Sequence, residues 1–423
     1  MSLYRFRERL SGFGQGAAEA NRTSAGLVSS RWAFLAGSAG VKFGIIVGIV
    51  AGLIVLKLVL YIVLAQPFGG AEQGLCRWDC RWYTHTIANG YDLEPNLQPT
   101  RDLANWAFFP LFPMLARGVM TIAGLSPFWS GTLIAAICFG AFAVLSCWYR
   151  ALTRGSASRD GPWLLLLAAY PFSLYFFIPY SESAYLLCTI LLLLAAEARN
   201  AVSVAIATVL LAATRPTGVL AIPYLLVERA AYARQALRQG LWRKDPTRTF
   251  ADIAFPLAVA PLGLAGYMAY LWWLTGDALA FSHVQLAWGR VPLTPLQSLK
   301  TYYWAVTEND WAKLFRADFA EIVAPRAYLA AAALPAAAAC AWLLARKRVL
   351  ECWLLGGTVV LALTTGVLSL PRFVYANPVF LLVIGDMVDL IRSRAVRIGL
   401  AVLCIGIQLL LVLTWLHNSS LLA

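Results

Sequence analysis

The sequence predicts an all-α, polytopic membrane protein, and three observations carry that expectation. Hydrophobic residues fill 60% of the 423 positions and charged residues only 13%, about half the share of a soluble domain, with a mean hydropathy of +0.69. The apolar residues come in runs of helical length rather than short alternating segments, which excludes an outer-membrane barrel. The basic residues lie in short connections between those runs. The net charge of +13 therefore reads as topology and attraction to anionic lipid, and no nucleic-acid partner is expected.

Taken in order, residues 1–41 are polar and basic, with Arg5, Arg7, Arg9, Arg22 and Arg31 but no cleavage-like pattern, and are expected to be a cytoplasmic N-terminal segment. Residues 42–423 are expected to form one integral membrane domain. Apolar runs near 43–65, 127–149, 162–178, 183–198, 200–213, 217–228, 253–274, 327–345, 349–370, 374–391 and 398–416 predict about eleven transmembrane helices, several of them short or broken by Pro. One set of connections holds Arg150, Arg154 and Arg159, then Arg229 to Arg248, then Arg346, Lys347 and Arg348, then Arg392, Arg394 and Arg397. By the positive-inside rule that face is cytoplasmic, with the N-terminus inside. The opposite face receives an enlarged first outer loop, about 66–126, and a second, about 275–326. Nearly all the unusual polar residues lie on that extracytoplasmic face. Around Arg215, runs too short to cross, followed at once by Pro216 and Gly218, predict two half-length helices meeting at a buried turn. No internal or inverted repeat is present.

The chain is organised around Cys76-Arg77-Trp78-Asp79-Cys80-Arg81-Trp82-Tyr83, just beyond the first apolar run. A carboxylate between two Trp, two Arg and a Tyr suits proton abstraction beside a sugar: the rings can stack on it, and Arg77 and Arg81 would hold Asp79 ionised. The bland alternative is an interfacial ion pair within an aromatic belt. Trp78, Arg81, Trp82, Tyr83, Tyr180, Glu182, Gln285 and Trp288 are the candidate sugar- or acceptor-binding residues. Glu182 could hydrogen-bond an acceptor hydroxyl, orient Arg215, or simply sit at a helix N-terminus. Arg215, Arg290 and Arg372 are candidates to hold an anionic phosphate, with snorkelling to lipid headgroups as the alternative. Asp92, Glu94 and Asp102 read as ordinary loop charges. Cys76 and Cys80 could form a disulfide or stay as thiols, and a zinc site is poorly supported by one nearby His.

Phosphate-binding Gly-rich loops, the Gly-x-Ser-x-Gly nucleophile turn and an Asp-x-Asp metal clamp are all missing from the sequence. Lys57 is the main charge within a span, fewer than an ion-coupled carrier would need at depth.

At these residues the chain resembles the bacterial branch of the PIG-V-like mannosyltransferases, of the GT-C glycosyltransferase superfamily. The resemblance is carried by Trp78-Asp79-x-x-Trp82-Tyr83, Ile87-Ala88-x-Gly90-Tyr91 and Phe108-Phe109-Pro110-Leu111-x-Pro113. Further along it includes Pro179-Tyr180-Ser181-Glu182-Ser183, Thr214-Arg215-Pro216-Thr217-Gly218, Gln285-x-x-Trp288-x-Arg290 and Leu370-Pro371-Arg372-Phe373. It implies a GT-C type multi-helix fold in a bacterial inner membrane. It also implies Asp79 as base, a sugar (mannose by the family) carried on polyprenyl phosphate, and inversion at the anomeric centre. Cysteines at 76 and 80 depart from the family pattern.

The residues alone point to the same donor class. Nucleotide sugars are cytoplasmic, so an outward-facing transferase needs a donor already carried across on lipid. The expected partners are a polyprenyl-phosphate sugar, a lipid, glycan or protein acceptor, and membrane lipids. No cofactor is expected, and the sequence leaves the need for a divalent metal open. The competing expectations are a transporter or flippase of a lipid-linked sugar and a non-catalytic envelope-assembly subunit.

Overall fold

The computed structural model describes residues 42–423 apart from 95, 99–100, 156–158, 289, 291, 304–325, 419 and 423. The N-terminal segment 1–41 and much of the second outer connection therefore lie outside the described residues. Residues 1–52 and 53–423 are two compact units, and the described part of the first, 42–52, is helical throughout.

The protein is helical. Among the described residues five helices are long and apolar enough to cross a membrane: α1 (Lys42–Phe68), α4 (Pro127–Arg154), α9 (Pro246–Thr275), α10 (Tyr328–Ala345) and α14 (Arg394–Leu416). Shorter apolar helices are α3 (Leu111–Ala123), α5 (Asp160–Ala169), α7 (Ala201–Ala212) and α11 (Val349–Leu363). Their starts follow from local chemistry. Ser126 caps α4 with Pro127 at its first position, Asn377 caps α13 (Pro378–Leu390) in the same way, and Ser393 caps α14. In α14 the exposed face carries Leu400, Val402, Leu403, Ile405 and Ile407, a surface that fits acyl chains and not water.

Two features position the site. The first is α6 (Glu182–Glu197), which is apolar almost all round and buried from Glu182 to Ala195 against α4 and α7. The second is the expected break after α7. Pro216 pushes Arg215 into an extended conformation (φ −170°, ψ 162°), a 3-10 turn follows over Pro216–Leu220, and α8 (Ala221–Arg238) resumes the helix. Arg215 is buried in that break, although α8, at 18 residues, is longer than a half-helix. A Cβ at Gly218 would collide with the Leu211 carbonyl oxygen, so only glycine lets the turn close this tightly.

Lys57 finds its partners at depth. Its Nζ donates to Gln408 Oε1 of α14 at 2.6 Å and to Ser173 Oγ at 3.2 Å, while Gln408 Nε2 donates to Tyr61 Oη and Ser173 Oγ, both at 2.6 Å. A network of this kind joins α1 to α14 where an unpaired polar group would cost several kcal/mol, about 2–7 by transfer measurements.

The connection between α1 and α3 is built, not slack. It holds α2 (Asp79–Asn89) and a two-stranded antiparallel hairpin, β1 (Asn96–Gln98) with β2 (Arg101–Leu103). Asp92 and Asn105 exchange backbone-to-side-chain hydrogen bonds at 3.0 Å each, Asn105 Nδ2 donates to Gly90 O at 2.9 Å, and Trp106 Nε1 donates to Asp92 O at 2.8 Å. Asp92 is thus the tie of this loop rather than an ordinary surface charge.

Candidate active site

Asp79 opens α2, where the helix dipole favours a carboxylate. The chain is turned into that position by Trp78, whose φ of 50° lies in the region that favours glycine and costs an ordinary residue about 1–3 kcal/mol. A disulfide joins Cys76 to Cys80 across the turn, with their Cα atoms 5.1 Å apart. The other six cysteines are free, so the question the sequence left open for the pair is answered by a covalent bracket around Asp79.

Opposite Asp79 lies Arg372, on the short helix α12 (Leu370–Tyr375). Arg372 Nη1 donates to Asp79 Oδ2 at 2.6 Å, and its Nε lies 3.3 Å from Glu182 Oε1. Arg215 Nη2 donates to the same Glu182 oxygen at 3.1 Å. Glu182, with 1% of its side chain exposed, is therefore the hub on which both guanidiniums rest, and its Oε2 is buried with no hydrogen-bond partner among the described residues. The rings complete the setting: Arg215 lies 4.7 Å from the Phe373 centroid and Arg372 5.3 Å from that of Tyr180.

Arg290 Nη2 donates to Ser369 Oγ at 3.3 Å. Tyr83 donates its hydroxyl to Ser181 Oγ at 2.7 Å, and burial pushes that phenol well above its ordinary range, so it stays a donor. A cavity of about 70 Å³ is lined by Asp79, Tyr83, Phe108, Arg215, Gln285, Trp288, Arg290 and Arg372. A second, of about 320 Å³, shares Gln285 and Arg290 with it. Asp79 keeps 22% of its side chain exposed, and only its Oδ2 is paired among the described residues. The carboxylate is held by arginine without being sealed off.

Stretches around 79–83, 108, 182, 215, 285–290 and 372 thus meet at one site, and every candidate phosphate-binding arginine lines its cavity. Trp82 stands behind the cavity wall, 4.9 Å from Trp288 and 6.1 Å from Phe108 between ring centroids. Tyr180 is fully buried beneath Arg372 and donates its hydroxyl to Arg77 O at 3.3 Å, so it supports the site without lining it. Two expected participants are elsewhere. Trp78 and Arg81 are exposed and line no part of this cavity. Arg77 instead bonds Gly74 O and Leu416 O at 3.2 and 3.4 Å. The expectation that the sequence neighbours hold Asp79 ionised is corrected: Arg77 precedes α2 and is tied to backbone carbonyls, Arg81 at i+2 on the helix does not face Asp79, and Arg372, 293 residues away, is the cation paired with it. Sequence reading missed Ser369 and Phe373 as site residues, although both border the Leu370-Pro371-Arg372 motif.

No group of three or more metal-ligating side chains occurs among the described residues. The chain matches no family model, no curated protein and no solved structure.

Proposed function

We propose that the chain is a membrane glycosyltransferase of the GT-C type, with about eleven spans. It would move a sugar, mannose on the motif resemblance, from a polyprenyl-phosphate donor to an acceptor hydroxyl at the extracytoplasmic face of a bacterial inner membrane. The observation that carries this reading is a charge imbalance. Three guanidiniums, Arg215, Arg290 and Arg372, surround two carboxylates, Asp79 and Glu182, at a cavity walled by aromatic rings. A surplus positive charge out of bulk water wants an anion, and a phosphate monoester leaving group supplies one.

In the proposed step the acceptor oxygen attacks the anomeric carbon as its proton passes to the unpaired oxygen of Asp79. The bond from the anomeric carbon to the phosphate oxygen breaks, and its electron pair leaves with the lipid phosphate, held by Arg290 and Arg372. Glu182 fixes Arg215 and Arg372 in place. The 70 Å³ cavity is smaller than a hexose, so binding requires it to join the adjoining 320 Å³ space by movement of the shared Gln285 and Arg290 side chains.

Two measurements test this reading. Mass spectrometry of envelope lipids and glycans, with and without the gene, should reveal the loss of one hexose. In purified protein, Asp79→Asn should lower turnover by ~10²–10⁴-fold while donor binding persists. Near-normal turnover in that variant would remove Asp79 from the chemistry. Transfer of labelled lipid across proteoliposomes without a new glycosidic bond would favour a flippase.

A further inference from the structure

At the end of α6 away from Glu182 the protein has a cavity of about 710 Å³, within the size range of ligand pockets, lined by the ends of α4, α6 and α13 and the start of α11. Its floor is charge-matched. Asp386 is paired with Arg154 and, at 2.8 Å, with Arg348; Glu351 is paired with Arg348 and accepts from Tyr149 at 2.6 Å; Asp389 is paired with Arg150 at 2.5 Å. Its rim is not matched: Arg159, Arg346 and Lys347 are exposed there against one exposed carboxylate, Glu197. Two floor atoms are buried without a hydrogen-bond partner among the described residues, the acceptor Asp389 Oδ1 and the donor Arg154 Nη2.

We infer that this cavity binds a phosphorylated polyol, such as a glycerol phosphate headgroup, with the phosphate at the rim and the hydroxyls on the floor. The reasons are chemical. The paired floor charges offer a bare phosphate no net attraction, and the positive rim repels a plain cation. A ligand with a phosphate at one end and hydroxyls at the other satisfies both. It also occupies the two unpartnered floor atoms, one as hydroxyl acceptor and one as donor. The site stands independently of the glycosyltransferase reading.

The same chemistry occurs in a membrane lipid and in a soluble phosphate ester, and the test separates them. The full chain is placed in nanodiscs of phosphatidylglycerol mixed with phosphatidylcholine, released, and the retained lipids are counted by native mass spectrometry. Glycerol 3-phosphate is added as competitor. Preferential retention of phosphatidylglycerol that the competitor does not displace supports a lipid headgroup as ligand. Displacement, or direct binding of glycerol 3-phosphate in calorimetry, supports the same site with a soluble ligand. Joint substitution Arg159→Ala, Arg346→Ala and Lys347→Ala should weaken retention at least tenfold. Glu197→Gln should strengthen it at least twofold, a gain that misfolding cannot imitate. Equal retention of the two lipids with no binding of glycerol 3-phosphate, or retention unchanged in both variants, overturns the inference.

Discussion

The two ends of α6 carry ion clusters of the same chemistry in opposite settings. Fifteen helical rises separate Glu182 from Glu197, about 22 Å along the axis. At the Glu182 end, a single buried oxygen is shared by two guanidiniums with aromatic rings against them, and cations outnumber carboxylates. At the Glu197 end the buried pairs balance and the surplus positive charge lies at an open rim. The difference teaches that where the surplus charge lies, enclosed or at an open rim, and not the number of ion pairs, separates a candidate catalytic centre from a candidate binding vestibule. Water screens the rim charges, whereas the enclosed cluster is screened far less.

The sharpest way to break that comparison is to remove one arginine from each end. Arg372→Gln leaves Asp79 without its cation and Glu182 with only Arg215, in a site whose arginine side chain is 6% exposed. Loss of one partner from a buried pair costs about 3–5 kcal/mol, so thermal inactivation in detergent should move to markedly lower temperature, with activity gone. Arg348→Gln also strips a cation from two carboxylates, Glu351 and Asp386, but that side chain is 21% exposed beside the large cavity. Water can enter and replace it, so the loss should be nearer ~1 kcal/mol, with the Asp79 site intact. Equal losses would show that enclosure is not what distinguishes the two ends.

How much of this was legible in sequence follows from the same contrast. The helical class, the break at Arg215 and the gathering of Asp79, Arg215, Arg290 and Arg372 could be read because Pro, Gly and charge within apolar sequence have few uses. Which arginine faces Asp79 could not be read. Arg81 is turned away by helical geometry and Arg77, before the helix, is tied to backbone carbonyls, while the 293-residue pairing with Arg372 is set by how α2 and α12 are placed. The disulfide and the role of Asp92 were hidden for the same reason: each depends on a turn geometry to which a charge or cysteine count is blind.

A middle-sized effect is expected at Trp78. Because its φ is 50° and its ring is exposed outside the cavity, Trp78→Gly should relieve strain, raising apparent stability by about 1 kcal/mol and leaving turnover within about threefold. Melting curves and initial rates on the same preparation check both. A tenfold loss of activity without loss of stability would return the indole to the substrate.

The smallest effect is expected where the chemistry of the Glu182 cluster recurs without its burial. Asp277 Oδ2 and His283 Nδ1 lie 2.6 Å apart just after α9, with 42% and 63% of their side chains exposed. The His283 hydrogen bond holds the Asp277 carboxyl below its ordinary value. A carboxyl whose folded pKa is depressed contributes stability above its unfolded value, near pH 4, and loses it as pH falls through the lower folded value. The difference in inactivation temperature between wild type and Asp277→Asn should therefore be present at neutral pH and be lost progressively as pH falls below about 4. Because solvent screens the pair, that difference should be far smaller than the Arg372→Gln effect. A comparable loss at Asp277 would mean that enclosure does not govern the energetics, and the contrast between the two ends of α6 would need another cause.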